Sequence, residues 1–216
     1  KNFPRAALAQ TDLTPSRVIY SSAGGEQPQA LVAELSAELS RGNINMAVIA
    51  GGEVTGALKT ALKNRKKLDW AAEGEGEIED RGAQTDFISG YEIANGLGLP
   101  PKTYAAMEQA LRGRLGMSKA EYAQHVGKVF ARMSEVAASN PYAQFPTARD
   151  ADFLASPSKD NYPVFDPYLK WHMAQDAVNQ GAALIVTTVK MAKELGVSED
   201  KWVYLHGHAN VIEALV

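Results

Sequence analysis

Three groups of residues in this chain are of types and spacings that can do chemistry. The first is Gly24, Gly25 and Glu26, set between Val18-Ile-Tyr20 and a long apolar helix with Pro28 near its start. A turn that leaves the carboxyl end of a parallel strand and opens a helix presents backbone N–H groups and partial positive charge. An anion or developing oxyanion is favoured beside it. The same Gly-Gly pair serves equally well as a tight turn with no ligand. The second group is five cations, Lys59, Lys63, Arg65, Lys66 and Lys67. They can meet the phosphates of a nucleotide-like molecule, or simply complement the negative pole of the helix they close. The third is the acidic, Gly-interrupted run Glu73-Gly-Glu-Gly-Glu-Ile-Glu-Asp80, whose spacing fits no twelve-residue calcium loop. It reads as a mobile loop.

The elements that position these groups follow from periodicity. Leu31, Leu35 and Leu39 line one side of the first helix, and Glu34, Glu38 and Arg41 mark a wetted stripe. Met46-Ala-Val-Ile-Ala50 is unbroken apolar and suits a parallel strand covered on both faces, in the same sheet as residues 18–20. Val54, Leu58 and Leu62 continue as a helix through the basic cluster. Pro100-Pro101 opens a helix with Tyr104, Met107, Leu111 and Leu115 inward, closed by Gly116. Ser118-Lys-Ala-Glu121 is a capping box, and the helix behind it has Tyr122, Val126, Val129, Phe130, Met133 and Val136 as its inner face. His125 falls on the opposite, solvated side. A polar irregular stretch follows, where Pro163 and Pro167 oppose a helix. Residues 181–189 read as a buried strand, Thr188 as the cap of a short helix ending at Gly196, and residues 202–208 as a final strand.

Composition narrows the function classes. With 216 residues and a formal net charge of -3, neither a nucleic-acid nor a membrane-surface role is indicated. No apolar run approaches the ~20 residues that span a bilayer, and no signal-peptide pattern is present, so a cytoplasmic setting is expected. Zero cysteines remove disulfides, zinc-thiolate sites and cysteine nucleophiles from these residues together. The chain starts at Lys1 without an initiator Met and stops at Val216 inside an apolar pattern, which reads as part of a longer protein.

Taken in order, Gly42-Asn-Ile-Asn-Met-Ala-Val-Ile-Ala-Gly-Gly-Glu53, Asn140-Pro-Tyr-Ala-Gln-Phe145, Val178-Asn-Gln-Gly-Ala-Ala-Leu-Ile-Val186 and Ala192-Lys-Glu-Leu-Gly-Val197 resemble the thiolase superfamily. The likeness is specifically to its sterol-carrier-protein-type thiolases and to the bacterial proteins called acetyl-CoA acetyltransferases. The resemblance implies an α/β fold in which two similar halves stack as layers αβαβα, with a helical loop domain inserted in the first, present here as a partial chain. Residues 1–70 would be the later part of the first half, 71–168 the loop domain, 169–198 the return and 199–216 the start of the second half.

The same resemblance implies roles for residues. The family's nucleophilic cysteine aligns with Gly25, or with Glu26 after a one-residue shift, and neither can form an acyl-enzyme. Gln180 stands for the Asp of the family's Asp-Gly-Ala-Ala segment, and Gly207-His208-Ala209 falls too early to be its Gly-His-Pro motif. Tyr20, Glu26, His206 and His208 are the acid or base candidates for a retro-aldol cleavage of a β-hydroxyacyl-CoA, which needs no acyl-enzyme. Coenzyme A would enter as a thioester substrate, with no permanently bound cofactor and no metal. It would contact Arg65, Lys66 and Lys67, and Asn140, Tyr142 and Phe145. A homodimer and an OB-fold partner chain are the implied partners. A non-catalytic CoA-binding or scaffold subunit, and acetyl transfer as in the family's usual name, are the other readings.

Overall fold

The computed structural model describes residues 2–70, 74–82 and 88–211. Its elements run α1 (Phe3–Leu8), β1 (Ile19–Tyr20), α2 (Gln27–Ser40), β2 (Met46–Glu53), α3 (Thr55–Lys63), β3 (Glu79–Asp80), α4 (Gly90–Ala94), α5 (Pro100–Arg114), α6 (Lys119–Ser139), α7 (Ala151–Ala155), β4 (Pro163–Phe165), β5 (Tyr168–Leu169), β6 (Gln180–Thr187) and α8 (Val189–Glu194). They divide into one compact unit of Lys1–Phe87 with Asp176–Val216, and a second of Ile88–Gln175. Among the described residues no helix is long and apolar enough to cross a membrane.

In the first unit β2 and β6 form an antiparallel ribbon in full register from Met46 opposite Thr187 to Glu53 opposite Gln180. This corrects the expectation of a parallel strand. An unbroken apolar run states that a strand is apolar, while its direction is set by a partner more than 100 residues away. The two-residue β1 pairs in parallel with β3 instead, so residues 18–20 and 46–50 lie in separate two-stranded sheets. Nor are β2 and β6 buried as expected. α2 packs on the ribbon and leaves Ala47 and Ile49 half-covered, whereas Met46, Val48 and Ile185 stand exposed on the other face. The core of this unit is small: Val18, Ala33, Leu35, Leu39, Ala61 and Ala192.

Helix ends here follow the local chemistry read from the sequence. Pro28 sits in the first turn of α2, where its missing N–H costs nothing. Thr188 caps α8 through the Met191 amide. α2 and α8 close with Gly42 and Gly196 in the left-handed region, the amides of the next residues reaching back to Glu38 and Ala192. α3 closes in the same geometry with Arg65, at φ 53°, in the place glycine usually takes. The acidic run is partly ordered rather than a loose loop: Glu79 and Asp80 are β3, and Arg5 donates to the Glu77 carbonyl. The start of that run, Glu73, lies outside the described residues, as does 212–216. Residues 202–208 form no strand, since no neighbouring edge pairs with them among the described residues.

In the second unit the Ser118 capping box is formed, and an unforeseen one at Ser89 starts α4. α6 packs against α7 across Gly127, where an added Cβ would lie 2.4 Å from the Ala151 carbonyl and 2.9 Å from the Ala155 Cβ. Tyr122, Val126 and Ala131 of α6 and Leu154 and Ala155 of α7 form the core of that seam. The rest of the expected inner face is not buried. Val129, Met133 and Val136 on α6, and Tyr104, Met107, Leu111 and Leu115 on or just after α5, are exposed. The polar stretch before Pro163 supplies the one fully buried polar residue described, Asn161. Its amide nitrogen donates to the Phe153, Leu154 and Ser156 carbonyls, and its oxygen accepts from the Trp171 amide.

Candidate functional site

The turn ahead of α2 closes with the Gln27 amide on the Gly24 carbonyl at 3.3 Å, and the helix begins with Ala30 on Glu26 at 3.0 Å. Glu26 holds the N-cap position in helical backbone and gives no side-chain cap. Its carboxylate folds back toward Gly24, takes a hydrogen bond from its own amide and accepts Gln27 Nε2 at 2.9 Å. Those bonds hold its pKa below the usual carboxylate range, so Glu26 is ionised at neutral pH and is suited to accept rather than donate a proton. Gly24, Gly25 and Glu26 are exposed, and a Cβ added at Gly25 would meet nothing within 4 Å beyond its chain neighbours.

Tyr20 closes β1 one turn of chain before this point, its ring 6.2 Å from that of Phe3. Beneath, four charges tie α2 to both short strands. Arg81 grips Glu34 of α2 with two 2.7 Å bonds and reaches Glu79 of β3 at 2.9 Å, while Arg17 bonds Glu79 at 2.6 Å. Side-chain bonds from Arg81 hold Glu34, and bonds from Arg17 and Arg81 hold Glu79, below their ordinary pKa. The network explains why an acidic run that reads as a loop adopts strand geometry.

The remaining candidates are not gathered at this turn. His206 and His208 line a cleft of about 380 Å³ with Ser36, Ser40, Arg41 and Leu205, at the carboxyl end of α2. A helix of 14 residues places them roughly 20 Å from Gly25. Arg65, Lys66 and Lys67 follow α3 as exposed side chains with no carboxylate partner among the described residues. Lys59, by contrast, pairs with Asp176 at 2.6 Å. In the second unit, Asn140 ends α6 and its Oδ1 accepts the Tyr142 amide at 3.0 Å, which turns Tyr142 fully outward. Phe145 stands edge-on to Trp171, with ring centroids 5.2 Å apart. Sequence reading missed the cations on that indole: the Arg149 guanidinium lies 3.5 Å from its centroid and Lys170 Nζ 4.6 Å. Their only signal was a basic residue beside Trp171 in a stretch otherwise read as loop. No group of three metal-ligating side chains occurs among the described residues.

No family model matches the chain, and no curated protein does. Among solved structures it is similar to a monomeric SCP2-thiolase-like protein type 1 from Mycobacterium smegmatis, with a TM-score of 0.73 and 33% identity. The chain has a thiolase-like fold. The match covers 96% of this chain and 38% of the Mycobacterium smegmatis protein, so the chain spans well under half of that relative's length.

Proposed function

We propose that this thiolase-like chain acts on acyl-CoA thioesters, by carbon–carbon cleavage or formation of the retro-aldol type, without a cysteine acyl-enzyme. One observation carries the reading: a chain of thiolase-like fold with 33% identity to an SCP2-thiolase-like protein contains no cysteine. The resemblance aligns the family's nucleophile with Gly25, or with Glu26 after a one-residue shift. Acetyl transfer through that position would need a thiolate, which neither Gly25 nor Glu26 supplies.

Retro-aldol cleavage avoids that requirement. A base removes the proton of the β-hydroxyl, and the Cα–Cβ bond breaks as the β-carbon becomes a carbonyl. The bonding pair passes into the thioester as an enolate, and Cα then takes up a proton to give the shorter acyl-CoA. No side chain caps the start of α2; with the Glu26 and Gln27 amides already bonded and no N–H on Pro28, the enolate oxygen is assigned to the positive pole of the helix rather than to those amides. Tyr20 and ionised Glu26 are the nearest candidates for handling the proton. Arg65, Lys66 and Lys67, exposed and without a carboxylate partner among the described residues, are assigned to CoA phosphates. Asn140, Tyr142 and Phe145 are the second unit's candidates for CoA contact.

A second reading, a non-catalytic CoA-binding or scaffold subunit, is favoured by a specific feature. His206 and His208 lie at the opposite end of α2, and Glu26 spends its carboxylate on its own amide and Gln27. The test is incubation of the full-length protein with β-hydroxyacyl-CoA, alone and with a candidate OB-fold partner, followed by chromatography for a released shorter acyl-CoA. Product in either arm supports the aldolase-type reading; binding without product assigns the scaffold role.

A further inference from the structure

His172 closes the short 3-10 turn Lys170–His172 and is more constrained than any other histidine described. The Leu169 amide donates to its Nδ1 at 3.2 Å, so that nitrogen carries no proton. Nε2 therefore carries it, and faces the Leu154 carbonyl of α7 at 2.8 Å. The imidazole also packs on Phe130 of α6, with centroids 4.7 Å apart. One ring thus joins α6, α7 and the end of β5.

The next residue back, Trp171, depends on that junction. Its amide donates to the buried Asn161, its indole Nε1 donates to the Asp160 carbonyl, and its face carries Arg149 and the edge of Phe145. The charged group that acts on His172 through this packing is Glu108 of α5. Tyr122 of α6 donates its hydroxyl to the same carboxylate, Tyr168 of β5 bonds to it, and α7 presents a backbone carbonyl.

We infer that His172 is a proton-operated latch of the second unit, in which a proton on Nδ1 sets donor against donor at the Leu169 amide and frees residues 168–172, including Trp171. The inference is independent of the thioester chemistry proposed above. Burial holds the His172 pKa below its ordinary value of 6.5, outweighing the Leu154 carbonyl and Glu108, which favour the charged form. The opened segment binds more protons than the latched one between these two values, so closure is complete above pH ~6.5 and weakens as pH falls through that window. The opening constant rises by up to about tenfold per pH unit there and levels off below it.

The test is amide hydrogen exchange on the full chain from about pH 7.5 to 5, with protection factors corrected for intrinsic rates. Protection of the Leu169 and Trp171 amides is expected to fall on acidification, while Val48 and Ile185 in the first unit hold constant. His172→Gln offers Leu154 a donor and Leu169 an acceptor without titrating, so its profile is expected to be flat; His125→Gln, on the exposed face of α6, retains the wild-type fall. A flat wild-type profile, or the same fall in His172→Gln, overturns the latch. If His172→Gln does not fold, Glu108→Gln decides: loss of the carboxylate extends the fall to lower pH, and an unchanged profile overturns the inference.

Discussion

The amino end of α2 and the Asn161–His172 junction treat polar groups in opposite ways. At Asn161 four backbone groups converge on one fully buried amide side chain, and His172 spends both ring nitrogens on the backbone beside it. At Gly24–Glu26 no side chain caps the helix, and the carboxylate turns back on its own residue. The first arrangement leaves nothing for a ligand and holds a loop-rich region together; the second forgoes a side-chain cap and leaves the turn exposed. Polar residues that look alike in a string of letters are here divided between holding the fold and staying available.

The sharpest break of this contrast is Asn161→Ala. It strands buried carbonyls and the Trp171 amide, and is expected to cost about 2–4 kcal/mol in chemical denaturation of the second unit. Glu26→Gln, at the other pole, is expected to change stability by less than ~0.5 kcal/mol while altering whatever turnover the protein has. Equal costs at the two sites would erase the distinction. Gly127→Val comes next: its Cβ would meet α7, and repacking the seam is expected to cost about 1–3 kcal/mol, read as a lower denaturation midpoint with an unchanged slope.

Arg65 sharpens the contrast from the side of availability. A left-handed arginine where α2 and α8 use glycine carries strain of about 1–2 kcal/mol, partly offset by the greater freedom glycine has when unfolded. Arg65→Gly is expected to raise stability by roughly 0.5–1 kcal/mol and to weaken CoA binding, measured by calorimetry. The Ser replacement of Arg65, Lys66 and Lys67 together is expected to weaken CoA binding by roughly tenfold at low salt and by much less near 0.5 M salt. Unchanged affinity at low salt would discard the assignment of these cations.

What the letters disclosed was local. Ser118 with Glu121, Pro28 in a first turn, Thr188 and the glycines at 116 and 196 each act within a few residues of themselves, and each is where the sequence puts it. Long-range partners were not legible. The direction of β2 depends on β6, and Glu79 becomes strand because Arg17 and Arg81 hold it. Apolar periodicity marked stripes on α5 and α6 of which Tyr122 and Val126 are buried, while Val129, Met133, Val136 and the α5 residues Tyr104, Met107 and Leu111 are exposed, since burial depends on what lies opposite. Asn161 and His172 carried no signal at all: a buried asparagine in a polar stretch looks like any loop residue until the carbonyls around it are known. For the same reason Gly25 could be aligned with a nucleophile, while the distance from His206 to it could not be foreseen.

The central claim is that the start of α2 receives a thioester without being acylated. The most direct measurement is an amide NMR titration of the ¹⁵N-labelled chain with an acyl-CoA, followed by intact-mass determination. Saturable shifts at Gly24, Gly25, Glu26 and Gln27, with no added acyl mass, are the predicted result. Binding that leaves those four amides unmoved, or a covalent acyl adduct on the chain, would contradict it.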